Sequence, residues 1–324
     1  MIPDYKVYIV ELPKGAKYRK ICNKLCRNSY MFTYKEDNQL YINIPKLMEI
    51  LIDRLKSKKN SKYIRNLKYT HSEIIDGIFE IIHNCTYWSR YTKTIDGKLL
   101  KHYGEYLRQC HRKYEKMGVY ACLYKITLNI YFRKCQYEKL KEQSIDSTFI
   151  RNLYGVEMIQ RNAYYKSKNG IKISTIDDKN GVPISIAVSK GAVNDAIIGL
   201  AQADSNFVPT YKPKGVKFNN RYKPTILGDS HYYHKGFKNK MKRKGYNIYT
   251  DVNIRNTKDE AILKEMEKDR RKYIKVQRKR AIKETSFGWI HKYPKLDRYV
   301  EKTIESYVGL LLLGYSLIVS KKIR

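Results

Sequence analysis

The sequence predicts an α/β chain, α+β overall, with a helical N-terminal region over residues 1–140 followed over 141–324 by a five-stranded mixed sheet flanked by helices. Two observations predict this class. Apolar residues recur at helical spacing in the first part, and they alternate with small or polar residues after residue 141. A third bounds what the surface does: 66 Lys and Arg against 31 Asp and Glu leave a formal net charge of +35. A surface this cationic calls for a polyanionic partner, since neutralised phosphates release counterions and give strong, salt-dependent binding.

In the first part, a short extended start from Tyr5 to Leu12 precedes the helices. Leu47, Ile50, Leu51 and Leu55 form one apolar stripe, and Ile74, Ile75, Ile78, Phe79 and Ile82 form another. Between them runs the basic stretch from Arg54 to Lys68, which suits a solvated linker or a phosphate-contacting arm. From Leu99 to Ile130 two helical patterns meet at Met117-Gly118-Val119, where Gly supplies the turn. That pair reads as a helix-turn-helix laid on DNA, or as ordinary helical packing.

In the second part, Ser144 to Phe149 reads as a strand, and Ile171, Ile173 and Ile176 mark another. Asp178-Lys179-Asn180-Gly181 then turns the chain into the alternating run Ile184, Ile186 and Val188, a strong hairpin signal. A helix from about Ala192 to Asp204, a short strand from Pro224 to Asp229, a basic helix from His234 to Lys244 and a strand from Tyr246 to Asp251 follow. Thr257 with Glu260 forms a capping box, predicting one long helix into the 280s. From Lys268 to Lys283 nine of its sixteen residues are Lys or Arg, so a DNA backbone can run along it.

Six Cys in such a chain fit neither a disulfide framework nor paired zinc knuckles, which points to a reducing intracellular compartment. Cys22 and Cys26 read as buried thiols, with zinc as the other reading. No secretion signal is legible at the N-terminus. The apolar run from Tyr307 to Val319 reaches about 20 Å as a helix, short of the roughly 30 Å of a hydrocarbon core, and so predicts a buried final helix.

Three acids stand out: Asp146 in the first strand after residue 141, Asp229 at the end of the fourth and Glu284 on the late helix. If the two strands are neighbours, both aspartates project at one sheet edge, where ligands of open α/β sheets gather. Three carboxylates around one point suit Mg²⁺ or Mn²⁺, and a metal pair supports phosphodiester chemistry without a histidine base. Singly, Asp146 reads equally as bonding its own backbone and Asp229 as capping a turn. Asp229, His231 and His234 imitate a zinc cluster, but on a strand-to-helix turn their side chains spread. Trp88 and Trp289 read as core aromatics.

The stretches Ser144 to Arg151, Ile176 to Ile184 and Ser189 to Asp195, then Ile226-Leu227-Gly228-Asp229-Ser230 and Arg280-x-x-x-Glu284 with Phe287-Gly288-Trp289, resemble the catalytic domain of DDE transposases of bacterial insertion sequences, in particular the group called the fifth insertion-sequence family. Asp76-Gly77-Ile78-Phe79 and Cys85-Thr86-Tyr87-Trp88 resemble its helical N-terminal region, so the likeness spans residues 70 to 320. The resemblance implies a ribonuclease H-like fold in which Asp146, Asp229 and Glu284 hold two Mg²⁺ or Mn²⁺ ions, cutting element ends and joining them to target DNA. It implies that Arg280 orients a carboxylate or holds a phosphate, and places Asp195 near the catalytic edge. Arg278, Lys279, Arg280, Lys283 and Lys292 are the expected DNA contacts. The chain departs from the family pattern at Gln277, where Tyr is usual, and at His291, where Lys is usual.

The expected partner is double-stranded DNA, both element ends and target, held by a homodimer assembled on it, with no membrane. The location is intracellular, on DNA in the cytoplasm or nucleoid, or in the nucleus of a eukaryotic or viral host. Two other readings stay open: a non-catalytic DNA-binding protein derived from a transposase, and a nuclease of the same fold.

Overall fold

A computed structural model describes residues 7–11, 15–37, 39–56, 67–84, 86–95, 98–134, 142–204, 224–254 and 259–323. Most of the basic stretch after Arg54, the Pro- and Lys-rich segment up to Lys223, Cys85 and Thr257 lie outside them. The chain forms two compact units that interleave along the sequence. One comprises residues 1–11, 135–152 and 158–288, the other residues 12–134, 153–157 and 289–324. A single cut at residue 140 therefore does not describe the division, because the N-terminal strand belongs with the sheet and the C-terminal helix with the helical unit.

The helical unit holds α1 (Ala16–Arg27), α2 (Ile44–Leu55), α3 (His71–Asn84), α4 (Tyr103–Lys116) and α5 (Val119–Lys134). Two short hairpins, residues 33–42 and 93–100, interrupt them and left no clear alternation in the sequence. Asn43 caps α2 by accepting from the Lys46 amide at 3.0 Å, and Pro45 sits in its first turn, where no amide donor is missed. The turn between α4 and α5 is the expected one, with Gly118 at φ 75°, the left-handed region that favours glycine.

The final helix, Ile304–Ser320, is buried on almost every side, as is α5, and the two pack together. A helix apolar all round belongs inside a core, which accounts for the Leu310–Leu313 run. Gly309 makes the approach possible: a Cβ there meets the Tyr120 ring at 3.0 Å. Among the described residues no helix is long and apolar enough to cross a membrane. Cys22 and Cys26 are both buried free thiols on α1, with Cys22 hydrogen-bonded to the Cys122 thiol of α5.

A polar cluster lies inside this unit. His111 is fully buried; its Nδ1 meets Tyr120 Oη at 2.8 Å and its Nε2 the Ser306 carbonyl at 3.0 Å. Trp88 stacks on the same imidazole at 5.5 Å and donates its Nε1 proton to Glu301 Oε1 at 2.8 Å. Burial pushes the His111 pKa down to about 4 from 6.5. A depressed folded-state value means stability that is full above pH 6.5 and lost as pH falls towards 4. Acid titration is therefore expected to cost this unit about 3 kcal/mol through His111, read as a falling melting temperature that His111→Gln flattens.

The other unit is built on a mixed sheet. Its strands are β1 (Val7–Ile9), β2 (Glu142–Asn152), β3 (Gln160–Asn162), β4 (Lys168–Asp177), β5 (Pro183–Lys190), β6 (Thr225–Gly228) and β7 (Asn247–Thr250). The order across it is β1-β5-β4-β2-β6-β7, with β3 beside β4. Pairing is antiparallel from β1 to β2 and parallel from β2 through β6 to β7. The five expected strands are present in the ribonuclease H-like order, and the extended N-terminus adds an edge strand beyond them. At the β4–β5 hairpin Asp178 accepts from the Asn180 and Val182 amides, and Gly181 takes φ 75°. The helices are α6 (Asp195–Asp204), α7 (Lys235–Arg243), α8 (Glu260–Ile274) and α9 (Ile282–His291), the last belonging to this unit up to Gly288.

The one long late helix of the sequence reading is corrected. α8 stops at Ile274, a 3₁₀ turn runs from Gln277 to Ala281, and α9 starts afresh. Val276, β-branched and at φ −121° and ψ −6°, leaves helical geometry at the break. The start of α8 is capped by Asp259, whose carboxylate accepts from the Ala261 and Ile262 amides at 2.8 and 3.1 Å, in place of the expected Thr257 box.

Candidate active site

Asp146 lies within β2 and Asp229 immediately follows β6. These strands are parallel neighbours in the register Thr225 with Glu142 and Leu227 with Ser144. Continuing that register past the end of β6 brings Asp229 level with Asp146. Gly228 gives the close passage just before it, since a Cβ there sits 3.2 Å from Ile145 Cγ2. The topology thus sets the two residues side by side just past the point where the parallel pairing of β2 with β6 ends.

Arg280 joins them. Its Nη2 donates to Asp146 Oδ2 at 2.6 Å and stands 3.9 Å from Asp229 Oδ2. Asp146 Oδ1 also accepts from the Ser147 amide at 2.8 Å. Burial pushes the Asp146 carboxyl up in pKa, the Arg280 and Lys283 cations pull it down, and nearby Asp229 pushes it up again; the net shift is upward. For Arg280, burial lowers the pKa, but the two aspartates outweigh it and hold the guanidinium charged. Two carboxylates share one guanidinium, at 2.6 and 3.9 Å, and a formal excess of negative charge of this kind is the electrostatic character of a cation site.

Asp229 has the capping role as well. Its side chain accepts from the His231 amide at 2.9 Å and faces His231 Nδ1 at 3.2 Å. His234 turns away to cap α7 at Phe237, so Asp229, His231 and His234 do not converge. Glu284 stands exposed on α9, one helical turn beyond Arg280. Among the described residues no three His, Cys, Asp or Glu side chains converge closely enough to hold a metal ion. The structure thus brings Asp146 and Asp229 together and does not add Glu284 to them.

The Glu284 helix is nevertheless fixed to the site's own strands. Lys283, one residue before it, is 1% exposed and donates to the Thr175 carbonyl and Oγ1, each at 2.6 Å. It pairs with Asp177 Oδ2 at 2.9 Å. Thr175 is the direct cross-strand partner of Asp146. The expectation that Lys283 contacts DNA is therefore corrected: its ammonium points inward, and burial lowers its pKa against the pull of Asp177. Sequence reasoning missed this pair, because a lysine in a run of nine cations carries no mark of burial.

The other expected DNA contacts divide. Arg278 is exposed on the 3₁₀ turn, and Lys279 is half-exposed and pairs with Glu142. Arg280 is engaged by the carboxylates. Lys292 is exposed in the other unit. With the helix broken at Val276, the cations from Lys268 to Lys283 occupy three short segments and do not form one continuous helix face.

Asp195 opens α6, and its Oδ1 accepts from Ser147 Oγ at 2.6 Å and Lys172 Nζ at 2.9 Å. It thereby ties the residue after Asp146 to β4. In the helical unit, Trp88 is a buried aromatic and Trp289 carries Lys322 over its ring at 3.8 Å.

A sequence model of the family described as the transposase DDE domain matches residues 139–313, more than half of the chain. No curated protein and no solved structure gives a match.

Proposed function

The chain belongs to the transposase DDE domain family, and from that premise we propose that it cuts the ends of a mobile element and joins them to target DNA, with Asp146, Asp229 and Glu284 as its acidic site. The observation that carries this reading is the meeting of Asp146 and Asp229 on one guanidinium, just past the parallel pairing of β2 with β6. Asp146 and Asp229 would hold the first divalent ion, Mg²⁺ or Mn²⁺, and Glu284 would complete the site from α9. Two such ions supply an activated attacking oxygen and neutralise the leaving one.

The chain's own residues do the rest. Arg280 draws the Asp146 and Asp229 side chains towards one guanidinium. Lys283 and Asp177 hold the start of α9, and with it the backbone that carries Glu284, against β4. Asp195 and Lys172 fix the backbone next to Asp146 through Ser147. Arg278, Lys279 and Lys292 supply exposed positive charge for phosphates, and the helical unit, over most of residues 12–134, supplies further DNA-binding surface. Joining two ends to one target calls for two active sites, hence a dimer assembled on DNA.

The test is product analysis with the full chain, DNA carrying the inverted repeats that flank its own gene, and a supercoiled target. With Mg²⁺ the expected products are cut ends and joined strands, both absent in EDTA. Cut ends without joined strands would make the protein a nuclease of this fold. Retarded DNA without either product would make it a non-catalytic binder.

A further inference from the structure

The helical unit contains a cavity of about 450 Å³ that the acidic site does not use. Small organic ligands occupy pockets of about 300–1,000 Å³, so one nucleotide fits this volume and a duplex does not. Its wall is aromatic at Tyr87, Trp88 and Tyr154. Trp88 is already covered, by His111 on its face and Glu301 at its Nε1. Tyr154 is different: its ring is 64% exposed, edge-on to Tyr87 at 5.5 Å, while its backbone amide is held by the Tyr299 carbonyl. An exposed aromatic face on an anchored backbone is a stacking platform.

The charge around it is unequal. Two acids line the cavity, and both are spent. Glu105 receives two hydrogen bonds from Arg108. Glu301 is buried, yet Lys295, His111, Ser306 and Trp88 together hold its carboxyl below the usual range. Three further lining cations, Arg90, Arg112 and Lys302, have no carboxylate partner among the described residues. Paired acids and unmatched cations beside an open ring suit a ligand with one planar face and one anionic group.

We propose that this cavity binds a single unstacked nucleotide, its base on Tyr154 and its phosphate on Arg112, Arg90 and Lys302. The chemistry is the same whether the nucleotide is free or belongs to a DNA strand, and the test separates these sources. The proposal stands on the helical unit alone and does not depend on the acidic site.

The experiment is fluorescence anisotropy of the full chain with 5′-fluorescein-labelled oligo-dT of ten residues, in EDTA so that no metal chemistry intervenes. Tyr154→Ala is expected to weaken binding about tenfold and Tyr154→Phe to leave it unchanged, since stacking and not the hydroxyl carries the contact. Arg112→Ala is expected to weaken it about as much, whereas Lys264→Ala, which removes an equal charge from the exposed side of α8 in the other unit, changes it by less than about twofold. Tyr154 is exposed, so its variants are expected to melt as the parent does. Competition by dTMP identifies a site that accepts free nucleotides; competition only by unlabelled oligo-dT identifies a strand-bound one. Unchanged affinity in Tyr154→Ala, or displacement of the probe by inorganic phosphate at the concentrations at which nucleotide or oligo-dT displaces it, overturns the proposal.

Discussion

Asp146→Asn is expected to lower strand joining by more than about 100-fold while leaving the protein folded, because it removes charge and not shape from a site that needs a ligand for a divalent ion. Asp229→Asn is expected to do the same. The stability half of the expectation follows from sign. The Asp146 carboxyl is raised in the folded state by burial, so folding favours its protonated form. Its contribution to stability is present at low pH and is lost as pH rises through the ordinary carboxylate range towards the raised value. At neutral pH burial of the ionised group costs stability while its pairing with Arg280 offsets that cost, so the neutral isostere is expected to melt close to the parent. Joining assays beside thermal melts check this. A variant that melts well below the parent would mark Asp146 as structural, and one that joins DNA at the parent rate would remove it from the site.

The second large effect concerns Lys283. It and Asp177 are an ion pair at 1% and 0% exposure, so Lys283→Met leaves a carboxylate buried without its counter-charge. Breaking such a pair from one side costs about 3–5 kcal/mol, whereas replacing both partners by apolar groups is often neutral. Lys283→Met is therefore expected to destabilise the sheet unit by that amount in urea or thermal unfolding, and Lys283→Met with Asp177→Leu to recover most of it. If Lys283 instead served DNA on the surface, the single variant would keep its stability and lose DNA affinity. The double variant also reads the positioning role: with stability restored but α9 no longer tied to Thr175, DNA joining stays below that of the parent.

Much of the sheet was legible because its signals are local. Alternation along Ile184, Ile186 and Val188, and Asn180-Gly181 between two runs, specify a hairpin whatever the rest of the chain does. The juxtaposition of Asp146 and Asp229 was legible only on the condition that β2 and β6 are neighbours, which local alternation does not specify and the parallel pairing of the two strands supplies. The short hairpins of the helical unit were not legible, since three or four residues carry too little alternation to tell from a loop. Nor was the break at Val276. Nine cations in sixteen residues look like a solvated helix face, but burying Lys283 requires the chain to turn between α8 and α9, and that demand comes from Thr175 and Asp177 a hundred residues earlier. The guanidinium between the aspartates belongs to the same class, because Arg280 was recognisable by its spacing to Glu284 and not by its partners. Glu284 is the residue on which sequence and structure stand furthest apart: its motif places it with the aspartates, and its position on α9 leaves it exposed beside them.

That residue decides the central claim, and iron-directed cleavage addresses it without any DNA substrate. Fe²⁺ bound in place of Mg²⁺ generates hydroxyl radicals with ascorbate and peroxide, which cut the backbone within a few ångströms of the ion. The account predicts cuts near residues 146, 229 and 284, all three suppressed by excess Mg²⁺ and lost together in Asp146→Asn. Cuts at 146 and 229 with none near 284, or no Mg²⁺-sensitive cuts at all, would contradict it.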